Sequence, residues 1–68
     1  MKEFSKRLRE SLKTNQISQS ELARKINMSQ SAVNDYCTGR REPSFDILVL
    51  ICKALGESAD YLLGLSDL

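Results

Sequence analysis

The stretch SQSELARKINMSQSAVNDYCTG, residues 18–39, holds two short amphipathic segments joined only by Asn27-Met28-Ser29. Ser18 precedes Glu21 by three residues, the spacing of a capping box. In that motif the serine oxygen takes a backbone N–H and the glutamate reaches back to the cap. A helix over 19–26 follows, with Leu22, Ala23 and Ile26 on one face. Ser29 is the next N-cap, opening a helix that runs to Cys37 or Thr38 with Ala32, Val33 and Tyr36 turned inward. Asn27 sits where the first of these helices must stop. Asparagine tolerates the left-handed backbone such a stop requires. A join this short fixes a crossing angle between the two helices. It leaves the polar side of the second, with Gln30, Ser31, Asn34 and Asp35, to be presented outward.

Around this pair the chain reads as helix throughout. Phe4, Leu8 and Leu12 recur every four residues, an apolar stripe on a helix from Glu3 to about Thr14. Lys2, Lys6, Arg9 and Lys13 make a second, basic stripe, for most of its members a solvated face. Gly39 is a natural helix stop, and Pro43 keeps the residue before it out of a helix. Ser44 caps the next helix, Phe45 to Leu55, which is apolar almost all round and is therefore expected to be central and the most buried. Gly56 ends it. Ser58 caps a last short helix through Leu63, Gly64 ends that, and the tail LSDL is expected to fray. The reading is five helices with short connections, no strand signal and no repeat: an all-α fold in one domain over 1–68.

With 68 residues, 41% hydrophobic and 28% charged, the chain is globular rather than disordered. It has no apolar run of about 18 residues to span a membrane, and its start, Met1-Lys2-Glu3-Phe4, lacks the apolar stretch of a signal peptide. A cytoplasmic location is the expectation. Histidine is absent, and the spacing of Cys37 and Cys52 fits no zinc pattern, so no metal and no cofactor is expected. The cysteines read as small core groups rather than a disulfide. An enzyme is not expected either, since no paired carboxylates in a pocket motif and no phosphate-cradling glycine loop are present. Net charge is only +1, so any affinity for phosphate must come from a local patch.

SQSELA, MSQSAV, GRREPS and LGESADYLLG, in this order and spacing, resemble the phage repressor and Cro family of helix-turn-helix proteins, also called the XRE family. The resemblance runs from about Phe4 to Gly64. It implies a compact five-helix lambda-repressor-like DNA-binding domain with a central helix-turn-helix over 19–38, whose second helix enters a major groove. In such a motif Ala23 sits where the two helices cross closely, and Leu22, Ile26, Met28 and Val33 fill the wedge between them. The chain departs from the family at two places. Asn27 stands where a turn glycine is usual. Leu12 and Cys37 stand where many members pair an arginine with a glutamate. Losing both partners together avoids the roughly 3–5 kcal/mol cost of an orphaned buried charge, and it predicts that Leu12 and Cys37 lie in or near contact.

The resemblance assigns base contacts to Gln30, Ser31, Asn34 and Asp35. Glutamine can bond adenine N6 and N7 together, and an ionised aspartate can accept from cytosine N4. For Asp35 the alternative is a solvated residue, or one paired with a nearby arginine. Phosphate contacts fall to Gln19, which by resemblance also braces Gln30, and to Thr38, Arg40, Arg41 and the helix start after Ser44. Lys6 and Arg9 on the first helix join them, with a solvated face as their alternative. Such contacts set register rather than sequence preference.

Family members usually act as dimers on near-palindromic sites with half-sites about one helical turn apart. Tyr61, Leu62, Leu65 and Leu68 are the candidate interface, or else they close the core. The implied function is a sequence-specific, double-stranded-DNA-binding transcriptional regulator, a repressor of phage, prophage or plasmid type, with no membrane and no small-molecule ligand evident. An antitoxin on the same fold would bind a toxin as well. A protein-interaction module would tolerate loss of Gln30 or Arg40.

Overall fold

Four serines open four helices, each accepting a backbone N–H of the first turn on its hydroxyl. Ser18 accepts from Glu21 at 3.1 Å, Ser29 from Ala32 at 3.1 Å, Ser44 from Ile47 at 3.2 Å and Ser58 from Tyr61 at 3.0 Å. The Ser18 box is complete, because the Glu21 carboxylate takes the Ser18 N–H in return. The computed structural model describes residues 2–67. Within them lie α1 (Lys2–Thr14), α2 (Gln19–Ile26), α3 (Gln30–Thr38), α4 (Phe45–Leu55) and α5 (Ala59–Leu62), with no strand.

All five helices stop in the same way. Among the described residues, those with positive φ are Gln16, Asn27, Gly39, Gly56 and Gly64, one just past each helix. After each, the next N–H turns back to a carbonyl five residues earlier: Ile17 to Leu12, Met28 to Ala23, Arg40 to Asp35, Glu57 to Cys52 and Leu65 to Asp60. This is the Schellman closure, which satisfies carbonyls that the helix leaves orphaned. Every residue of the three-residue join therefore has a task. Asn27 turns left-handed (φ 58, ψ 45), Met28 closes α2 and packs on the core, and Ser29 caps α3. Gln16 does for α1 what Asn27 does for α2, although glutamine carries no sequence signal for that conformation.

The buried cluster draws Phe4, Leu8 and Leu12 from α1, Leu22, Ala23 and Ile26 from α2, and Ala32, Val33, Tyr36 and Cys37 from α3. Leu12 and Cys37 thus both enter one core. The link between α1 and α3 there is polar as well, since Arg9 Nη1 donates to the Cys37 carbonyl at 2.5 Å. That carbonyl lies in the last turn of α3, where a cation also suits the helix dipole.

Two expectations fail. Helix α4 is not the most buried. Only Ile51 and Leu55 are buried, while Phe45 (87% exposed), Val49 (50%) and Leu50 (41%) face outward. Helix α4 packs against α2 and α5, and no further helix among the described residues covers its other side. The tail does not fray over residues 65–67. Leu65 and Ser66 turn their N–H groups to the Asp60 carbonyl, at 2.8 and 3.3 Å. Arg7 holds the same segment from α1, donating to the Ser66 carbonyl at 2.8 Å and pairing with Asp67 at 3.2 Å and Glu3 at 2.9 Å. Its guanidinium lies over the Tyr61 ring, 4.8 Å from the centroid. Gly64 packs so closely on Glu3 that an added Cβ would collide with that side chain.

Cys37 and Cys52 are free thiols, the first buried and the second half-buried. Burial pushes the Cys37 thiol above its ordinary 9.0, with Arg9 working against the rise. The folded state therefore holds this proton more tightly than the unfolded chain does. The corresponding stability is complete below about pH 9 and is lost as pH rises through the folded value. Urea titrations at rising alkaline pH should show the unfolding free energy falling, and Cys37→Ala should flatten that slope. An unchanged slope in the variant would mean the thiol titrates alike in the folded and unfolded states.

Candidate nucleic-acid interface

Helix α3 divides cleanly along its length. Ala32, Val33, Tyr36 and Cys37 are buried on one side. Gln30, Ser31, Asn34 and Thr38 are exposed on the other, with Asp35 at its edge. At 100° per residue these five positions span an arc of about 140°. The Schellman closure of α2 and the Ser29 cap set the direction in which α3 leaves the join, and the α2–α3 packing around Leu22, Ala23 and Val33 holds it there. The outer arc carries amide and hydroxyl groups that donate and accept, the inventory needed to discriminate base edges.

Asp35 has two tasks within the protein. Its carbonyl gathers the N–H groups of Gly39, Arg40 and Arg41. Its carboxylate pairs with Arg41 at 3.4 Å, and Arg41 also lies over the Tyr36 ring at 5.8 Å. The pairing alternative foreseen for Asp35 is therefore realised. With Arg41 more than half exposed, the pair adds little stability, but it directs the Arg41 guanidinium back along α3. Arg40 is exposed at the same end.

A polar notch at the end of α3 is lined by Lys2, Ser5, Arg9, Thr38 and Gly39. It brings Thr38 beside Arg9, 29 residues away in sequence, and adds Lys2 from the basic stripe of α1. Lys6 is exposed on α1. Gln19, the first residue of α2, is half-exposed, and no hydrogen bond joins it to Gln30 among the described residues. Ser44 is exposed but commits its oxygen to the α4 cap. That first turn also carries Asp46, which weakens its appeal to a phosphate.

A helix-turn-helix family model matches residues 6–62, most of the chain. The chain belongs to the XRE-type helix-turn-helix family. Two relatives come from Bacillus subtilis (strain 168). The uncharacterized HTH-type transcriptional regulator YobD is 33% identical over 64 residues, covering 94% of this chain and 57% of that protein. The uncharacterized HTH-type transcriptional regulator YqaE is 35% identical over 60 residues, covering 88% of this chain and 52% of that protein. The chain thus spans about half the length of these curated relatives. No solved structure gives a significant match.

In this helix-turn-helix protein the candidate dimer residues scatter. Leu62 is 0% exposed and closes the core, so it has no surface to offer a partner. Tyr61 is half-buried beneath Arg7. Leu65 is exposed, and Leu68 lies outside the described residues. Arg7 was not foreseen in any role. The signal that could have found it is its spacing of four from Glu3 on one helix face. No helix among the described residues is long and apolar enough to cross a membrane.

Proposed function

We propose that this chain reads double-stranded DNA in a sequence-specific way as part of a transcriptional regulator acting in the cytoplasm. It is a repressor of the phage or prophage type that binds a near-palindromic operator as a dimer. The observation that carries the reading is the outer arc of α3, wholly polar and, apart from half-buried Asp35 at its edge, exposed along a helix whose inner side is buried. Gln30, Ser31 and Asn34 meet base edges in the major groove, while Asp35 acts through Arg41. The notch with Arg9, Thr38 and Lys2, together with Arg40 and Arg41, meets the backbone on one flank, and Gln19 and Lys6 add to it. The names of both relatives support the same class.

Selection of binding sites from a random duplex pool tests this directly. A near-palindromic consensus with half-sites about one turn apart is expected. Enrichment of nothing, with only salt-sensitive background binding, would refute sequence-specific reading. The flanking cations make a separate prediction. Each phosphate contact contributes roughly 0.9 to the slope of log affinity against log salt, so Arg40→Ala with Arg41→Ala should lower the slope by about 2. Titrations at several salt concentrations measure it, and an unchanged slope would take both arginines off the phosphate.

A further inference from the structure

Helix α4 exposes an arc of the same width as α3, with opposite chemistry. Phe45, Asp46, Val49, Leu50 and Lys53 are all exposed, and on a helical projection they share one side spanning about 140°. Three are large and apolar, and two are oppositely charged. Asp46 and Lys53 stand about 10.5 Å apart along the axis, too far to pair with each other. Neither has a hydrogen bond or ion pair among the described residues. The arc is therefore apolar at its centre, negative toward its N-terminal end and positive toward its C-terminal end.

That pattern complements itself. When two such helices lie antiparallel about a two-fold axis between Val49 and Leu50, residues at equal distance from the axis face each other. Asp46 then meets Lys53 of the second copy, Lys53 meets the other Asp46, and Val49 and Leu50 of both copies pack about the axis, flanked by Phe45. One symmetry operation gives each of these charges its opposite, two Asp46–Lys53 pairs in all, and the isologous geometry closes at two subunits. We propose that α4 is the surface on which two copies of this chain pair, as antiparallel helices held by Phe45, Val49 and Leu50 and set in register by Asp46 and Lys53. The proposal deepens the dimeric reading above and rests on it. It places the interface on α4 rather than on the chain's last residues. Two helices of this length bury less than a standard interface, so the pair is weak in free solution and strengthened where adjacent half-sites hold two copies together.

Charge exchange tests the pairing. Asp46→Lys and Lys53→Asp, both exposed and checked for folding by circular dichroism, each place like charges opposite one another across the axis. Sedimentation over a wide concentration range should show self-association weakened at least about tenfold in each. The double variant carrying both changes should recover it, and so should an equimolar mixture of the two single variants. Single variants that associate as the wild type does, a double variant that stays weak, or a wild type that remains monomeric at the highest concentration would each overturn the assignment. Both single variants should still bind a duplex carrying one half-site. Loss of that binding in the wild type as well would mark failure of the DNA reading, whereas intact half-site binding with unaltered association marks failure of the α4 pairing alone.

Discussion

Leu62→Ala is expected to lower the unfolding free energy by about 2–5 kcal/mol. Leu62 is fully buried and is the one buried residue of α5, a helix of four residues that packs against α1 and α4. A domain of this size has about 3–10 kcal/mol in total, so the variant should be partly unfolded at room temperature. A urea titration reads the effect. Leu65→Ala is the control. Its side chain is 75% exposed, and the change should stay within about 0.5 kcal/mol. A Leu62→Ala protein that remained fully stable but dissociated from a partner would return Leu62 to an interface and contradict its place in the core.

Gln30→Ala should leave stability almost unchanged and weaken binding at one or two base positions of each half-site by about 1–3 kcal/mol, roughly 5- to 150-fold. Gln30 is exposed at the first position of α3, the end that the proposed function sets nearest the base edges. Competition between the selected operator and single-base variants of it measures the effect. A loss that is equal for all sequences would make Gln30 a backbone contact and move base reading to Ser31 and Asn34.

Much of the fold was legible because local rules wrote it. Four serine caps, the Glu21 return and the stops at Asn27, Gly39, Gly56 and Gly64 are interactions within a few residues, and each is present. Gln16 escaped notice because its left-handed turn is imposed by Ile17 closing α1 and packing on the core, not by glutamine's own preference. The candidate site was legible in part. The polar arc of α3 follows from periodicity, but the meeting of Arg9 with Thr38 depends on how α1 crosses α3, and Arg7 acquires its role only when the tail folds back across sixty residues of chain.

The sequence by itself determined where helices begin and end, which side of α1, α2 and α3 turns inward, and which side of α3 stays polar. These are matters of hydrogen bonds within a turn and of period. Only the tertiary structure decided what covers each apolar surface. Composition made α4 fit for burial on all sides, yet the helices among the described residues supply neighbours for one side alone, and Phe45, Val49 and Leu50 are exposed there. An apolar side chain states a preference, and whether it is met depends on how many other elements the chain can bring to it.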